Sequence, residues 1–369
     1  MEEKMIPINE LARGYRLYKE EYDRKAIEVL ESGWYVLGKE VDAFEKEYSE
    51  KLGEDVYTAG VDNGLNAIRL GLYAAGIGPG DEVIVQANGY IATMLGITQN
   101  GATPVFCESD SYHNMDPDRI EEHITDKTKA ILVTHLYGMA TRMEKIMEIC
   151  EKHGLMLFED CAQGHFSSYK GRYTGLFGKA SFFSFYPTKN LGCFGDGGAV
   201  VSHDKDFITR IKTLRNYGSD RRYHNVELGF NARLDEMQAG LLRVRLSHWD
   251  TYVGNRKKIA ERYLEGITNP LITLPKIPEG TDPVWYLFVI NVDDQAGFRE
   301  YMTGKGIQTD VSFPMPPYMQ PALEYLGLGR GSNPYAEHDC DTVVSLPMMD
   351  YMDDSEIDEV IAAVNEYKG

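Results

Sequence analysis

The first two-thirds of this 369-residue chain repeat one pattern: a short apolar run, an amphipathic stretch, then another apolar run. Parallel strands need long crossover connections, usually helical, so this succession predicts a mostly parallel sheet covered by helices. The runs fall at residues 56–59, 82–85, 103–107, 130–134, 155–159, 180–185 and 199–202. Seven strands imply a large α/β domain. Between the first two runs a helix is expected over 65–75, where Leu65, Ile68, Leu72 and Ala75 recur at helical spacing and Gly76 stops it. Residues 143–152 read as a helix in the same way, and 18–32 and 39–51 as polar helices ahead of the sheet.

Beyond the last run the pattern changes. Residues 235–263 read as one long helix, followed by Pro270, Pro275, Pro278 and Pro283, a strand at 285–292, a helix at 295–304, a proline-rich loop at 313–321 and a final helix at 354–367. A single hydrophobic core stops growing near about 250–300 residues. The expected division is therefore a large domain over 1–245, with an N-terminal helical segment, and a smaller α/β domain over 246–369.

Composition narrows the function. With 38 Lys and Arg against 57 Asp and Glu the chain carries a net charge of −19, which opposes the clustered positive field that nucleic acid or an anionic membrane requires. No run approaches about 20 apolar residues, and residues 1–13 mix Glu2, Glu3, Lys4, Glu10 and Arg13 with short apolar stretches, so neither a membrane span nor a signal peptide is expected. The five scattered cysteines, Cys107, Cys150, Cys161, Cys193 and Cys340, form no C-x-x-C pair and suit reduced thiols in a cytoplasmic protein. Neither they nor the nine histidines show a familiar ligand spacing, and no metal is expected.

In an open parallel sheet, ligands bind beyond the carboxyl ends of the strands. Four runs end there in chemistry-bearing residues: Asp62-Asn63-Gly64-Leu65-Asn66 at a helix start, Asn88-Gly89-Tyr90, Asp160 followed by Cys161-Ala162-Gln163, and Tyr186-Pro187-Thr188-Lys189-Asn190. A lysine, a carboxylate, an aromatic ring and a helix N-terminus suit pyridoxal phosphate. The amine can bond the aldehyde, the carboxylate can keep the ring nitrogen protonated, the ring can stack, and the helix end can hold the phosphate. Gly76-Ile77-Gly78-Pro79-Gly80 lacks dinucleotide spacing and reads as a turn, whereas Gly192 to Gly198 lets backbone approach a ligand. No G-x-S-x-G elbow is present.

At Ser181-Phe182-Phe183-Ser184-Phe185-Tyr186-Pro187-Thr188-Lys189-Asn190-Leu191-Gly192, followed by Gly195-Asp196-Gly197-Gly198, the sequence resembles the DegT-type (DegT/DnrJ/StrS) nucleotide-sugar aminotransferases, of the fold type I, aspartate aminotransferase-like class. Ser32-Gly33-Trp34-Tyr35, Glu159-Asp160-Cys161-Ala162-Gln163 and Gly229-Phe230-Asn231-Ala232-Arg233-Leu234-Asp235 extend the likeness over nearly the whole chain. It implies that Lys189 is the Schiff-base lysine, that Asp160 faces the pyridine nitrogen and Gln163 the ring hydroxyl, and that Tyr90 stacks on the ring. It further implies that Ser184 and the backbone amides of Gly64, Leu65 and Asn66 hold the phosphate, and that Asn231 reaches the cofactor of a neighbouring subunit in a homodimer with shared sites. Leu65 and Gly89 depart from the hydroxyl residues common in relatives; Ser312 and Tyr318 stand where His is frequent.

The resemblance implies transfer of an amino group from L-glutamate to a nucleotide-linked keto-sugar, most similar to the branch that forms dTDP-3-amino-3,6-dideoxyhexoses. A 4-keto sugar on UDP or GDP is the alternative. A sugar dehydratase of this fold would replace Lys189, and a non-catalytic homologue would not need the complete set. Arg215, Arg221, Arg222 and Arg233 lie in sequence around Tyr217, Tyr223 and His224 and suggest a pyrophosphate site, with Arg222, Tyr223, Tyr35 and Tyr186 as expected substrate contacts.

Overall fold

The computed structural model describes residues 5–369; the first four, which entered the reading of the N-terminus, lie outside the described residues. The expected runs become one seven-stranded sheet, ordered Tyr57–Val61, Gly198–Ser202, Ala180–Ser184, Met156–Asp160, Thr128–Thr134, Glu82–Gln86 and Thr103–Cys107. All pairings from Ala180–Ser184 to Thr103–Cys107 are parallel, while Gly198–Ser202 runs antiparallel to both of its neighbours. Central strands are buried on both faces, which is why they read as continuous apolar runs rather than alternating ones.

Helices cover the two faces through separate apolar clusters. Gly64–Ala74 lies on one face, where Gly71 touches Phe182 so closely that a Cβ would stand 2.1 Å from the ring. Lys39–Leu52 and Glu236–Ser247 cover the other, with Phe44, Tyr48, Phe183, Phe185 and Leu242 fully buried between them. Met143–His153 packs Met143 and Ile146 beside Ile131 and Val133.

Another apolar cluster surrounds the antiparallel pair Phe288–Asn291 and Val343–Leu346, packed by Trp249–Gly266, Gln295–Gly304 and Asp354–Glu366. Ile6 joins it, paired with Ile307, so the N-terminal segment crosses to the C-terminal part of the chain.

Two expectations change here. The single long helix is two, Glu236–Ser247 and Trp249–Gly266, broken at His248 (φ −102°, ψ 10°), whose ring stacks 3.8 Å from Tyr18 and whose Nε2 lies 3.1 Å from Glu21. The strand expected at 285–292 is confined to Phe288–Asn291, because Trp285 takes φ +49° and the carbonyls of Trp285 and Tyr286 are bound by Arg256 rather than by a strand. Among the described residues no helix is long and apolar enough to cross a membrane.

Candidate active site

The carboxyl ends of the strands open into a cavity of about 620 Å³, within the range of small-molecule sites. Lining it are Gly64, Leu65, Tyr90, Asp160, Gln163, Ser184, Tyr186 and Lys189, all singled out from the sequence. Sheet order explains the convergence. Asp160 ends one strand, paired in register with Thr134 and Phe182, and Ser184 ends the next, opposite Gly198.

Asp160 is buried, and that burial pushes its carboxyl above the usual carboxylate range, opposed by a hydrogen bond from Thr93, another from the Ala162 amide and the nearby charge of Lys189. Thr93 Oγ1 donates to Oδ2 at 2.7 Å and Ala162 N to Oδ1 at 3.1 Å. Such a carboxylate, dry and held from two sides, is built to face a cation. Gln163 Oε1 accepts from the Tyr137 amide at 2.6 Å, which leaves its NH2 as the group that can donate into the cavity. Behind these residues Glu159 accepts the amides of Gly175, Phe177 and Gly178 and a contact from His135 Nε2 at 3.0 Å. His135, Glu159 and Cys161 place ligand-type atoms within 4.8 Å of one another, but the Glu159 oxygens are spent on this frame.

On the facing side, the helix Gly64–Ala74 begins at Asn63 and points its N-terminus at Ser184. A Cβ on Gly64 would stand 2.8 Å from the Ser184 Cβ, so only glycine lets the helix end come this near. The result is a concave cradle of amides and a hydroxyl suited to an anion. Asn66 departs from expectation: its amide is already capped by Asn63 Oδ1 at 2.8 Å and its side chain donates to Asp62, so the cradle rests on Gly64, Leu65 and Ser184. Lys189 completes the set, with its Nζ 4.4 Å from the centroid of the Tyr286 ring. Lysine amine, buried carboxylate and amide cradle in one cavity fit a phosphorylated pyridine aldehyde.

Other expected residues lie elsewhere on this chain. Tyr35 is exposed, with its hydroxyl on the Leu30 carbonyl and its own carbonyl on the Glu236 amide. Arg222 and Tyr223 stack on each other at the tip of the Ser219–Arg221 and His224–Asn225 hairpin, and Tyr223 is 88% exposed. Asn231 is also exposed, bridged to Asn216 outside the cavity. Arg215 must be removed from the arginine group, since it is buried against Glu45 and the Gly60 carbonyl. In the C-terminal loop Ser312 lines the cavity, whereas Tyr318 is fully buried with its hydroxyl 2.8 Å from Glu337.

Sequence reasoning missed Thr93 and Tyr286. Thr93 sits one helical turn beyond Tyr90, a spacing that could have marked it. Tyr286 comes from the far part of the chain and left no local signal.

Comparison with known proteins gives this geometry its family. The dTDP-3-amino-3,6-dideoxy-alpha-D-galactopyranose transaminase of Aneurinibacillus thermoaerophilus is 46% identical over 364 residues, 98% of this chain and 99% of that protein. The crystal structure of S. venezuelae DesV, in complex with a ketimine intermediate, superposes with a TM-score of 0.96 at 42% identity over 98% of both chains. NtdA from Bacillus subtilis, solved with bound cofactor PMP, superposes at 0.90 and 30% identity over 99% of this chain and 85% of that one. With residues 17–365 matching its profile, the chain belongs to the DegT/DnrJ/EryC1/StrS aminotransferase family, whose enzymes depend on pyridoxal phosphate.

Proposed function

We propose that the protein moves an amino group from L-glutamate to a 3-keto-6-deoxyhexose carried on dTDP, giving a dTDP-3-amino-3,6-dideoxyhexose. The observation that carries this reading is the meeting of Lys189, Asp160, Gln163, Ser184 and the Gly64 helix end in one cavity of a chain 46% identical to a dTDP-amino-sugar transaminase.

Bound pyridoxal phosphate supplies an aldehyde for the amine and an electron-withdrawing ring. Asp160 holds a proton on the ring nitrogen, Gln163 donates to the ring hydroxyl, Tyr90 covers the ring face, and Ser184 with the amides of Gly64 and Leu65 holds the phosphate. Lys189 Nζ takes the proton from the α-carbon of the amino acid and later delivers one to the sugar carbon that receives nitrogen. Tyr186 is the sugar contact in this reading, which its position in the cavity wall supports.

Arg222, Tyr223, Tyr35 and Asn231 lie outside their own chain's cavity, which supports a homodimer in which the partner supplies Asn231 and the nucleotide contacts. The division into 1–245 and 246–369 and a cytoplasmic location belong to the same reading.

The test is incubation with glutamate and dTDP- or UDP-linked 3-keto and 4-keto sugars, with products identified by mass and NMR, for the wild type and Lys189→Ala. Amination at C3 of a dTDP sugar by the wild type alone is expected. Amination at C4 would replace the sugar assignment, and an active Lys189→Ala variant would overturn the mechanism.

A further inference from the structure

Tyr286 reaches the cavity from a part of the chain remote in sequence from the strands that supply Lys189 and Asp160, and its placement is fixed from several directions. Trp285, just before it, takes φ +49°, a left-handed conformation unfavourable for a bulky side chain. The turn sends the Trp285 ring into the C-terminal core, 5.5 Å from Phe288, while Tyr286 lines the cavity. The carbonyls of Trp285 and Tyr286 both accept from Arg256 Nη1 at 3.0 Å, and that guanidinium is buried against Asp350. Asn190, directly after Lys189, donates to the Val284 carbonyl at 3.0 Å. Gly138 closes the other side: the Val284 amide donates to its carbonyl, and a Cβ there would stand 2.6 Å from the Tyr286 nitrogen.

A strained backbone held by buried polar groups marks a side chain whose position matters. The Tyr286 ring lies under Lys189 Nζ at 4.4 Å, and its hydroxyl is 3.4 Å from Thr188 Oγ1. Burial raises the phenol's pKa, but the Lys189 charge and the hydrogen bonds of Thr188 and Lys189 outweigh it and leave the group below its usual range.

We propose that Tyr286 is the positioning residue for the Lys189 amine, its ring face and phenol oxygen holding Nζ as the ammonium between proton transfers. The ring face attracts the cation, the oxygen accepts one N–H, and the released amine is kept from swinging out of line. This rests on Lys189 being the proton-moving group.

The experiment compares Tyr286→Phe, which keeps the ring, with Tyr286→Leu, which removes it. Measured on the holoenzyme are the pH midpoint of the visible band, kcat and KM for both substrates, and the isotope effect with α-deuterated glutamate. For Tyr286→Phe, kcat is expected to fall about tenfold with KM within about twofold, and the isotope effect to rise. The pH midpoint of the visible band moves to lower pH, because the protonated nitrogen joining Lys189 to the cofactor has lost an acceptor; Tyr286→Leu shifts it further. A Tyr286→Phe enzyme with wild-type pH midpoint, isotope effect and kcat would reduce Tyr286 to packing and overturn the proposal. If Lys189→Ala keeps activity, the mechanism itself fails, a separate result.

Discussion

Behind Ser184, His165 is fully buried, and its hydrogen bonds define its state. The Ser184 carbonyl can only accept, so Nε2 donates to it at 2.9 Å, and Nδ1 accepts from the Tyr48 hydroxyl at 3.0 Å. The ring is satisfied as the neutral form. Burial, with no carboxylate in hydrogen-bond contact, pushes its pKa down to about 3. A depressed histidine gives stability that is fully present above its unfolded value near 6.5 and lost as pH falls toward 3. The loss is up to about 1.4 kcal/mol per pH unit in that window, so about 2 kcal/mol between pH 7 and pH 5. Thermal unfolding of the wild type and His165→Gln at both pH values checks this. The variant should be less stable at pH 7 yet lose distinctly less on acidification; parallel pH dependences would show that His165 does not titrate on unfolding. Residues at this scale differ in how readable they are. Asp160 and Lys189 announce themselves because each follows an apolar run on a sheet whose ligands bind at that end. His165 and Tyr286 act through partners more than 100 or about 100 residues away, contacts that only the fold creates.

Secondary-structure elements are legible where burial on both faces leaves a continuous apolar run, so all seven expected runs are strands of the large sheet, while their order across it comes only from the fold. They were misread where a distant group takes over a backbone atom. Arg256 claims the carbonyls that would have begun the C-terminal strand three residues earlier, and Tyr18 and Glu21 capture His248 and break a helix whose local pattern is unbroken. Asn66 is misread for a local reason instead: its amide is spent on a cap by Asn63, three residues before it. One of the helices that cover the sheet depends on such a distant group. Lys39–Leu52 begins at Gly38 without a side-chain cap of its own, and Glu236 supplies it from the start of Glu236–Ser247, the neighbouring helix on the same face. Its carboxylate accepts the amides of Gly38 and Val41 at 2.8 and 2.9 Å through Oε1 and of Glu40 at 2.9 Å through Oε2. Buried as it is, Glu236→Ala strands three donors and should cost about 2–4 kcal/mol, more than an ordinary exposed cap. Denaturant unfolding at fixed protein concentration measures it, and a loss below about 1 kcal/mol would mean that water replaces the carboxylate.

At the scale of the whole molecule, the net charge of −19 opposes a polyanionic partner surface yet leaves room for small anions, because the proposed phosphate cradle is made of helix-end amides and a hydroxyl rather than of net positive charge. The same scale decides where the missing substrate contacts come from. Trp34, Tyr35, Tyr223 and Leu228 are all more than half exposed, Leu228 by 84%, more large apolar surface than isolated side chains on a lone subunit require. With Asn231 exposed on the same chain, each cavity in the proposed dimer is completed by its partner, and two-fold symmetry makes the exchange reciprocal. Complementation tests that directly. Lys189→Ala and Asn231→Ala chains, each nearly inactive alone, are co-expressed with different tags and the mixed dimer is isolated. One of its two sites then combines an intact Lys189 with an intact Asn231, while the other carries both lesions. The mixed dimer should recover about half of the wild-type rate, and an unfractionated random mixture about a quarter. If the sites are built within single chains, every site in the mixture keeps one lesion and the isolated mixed dimer stays as inactive as its parents.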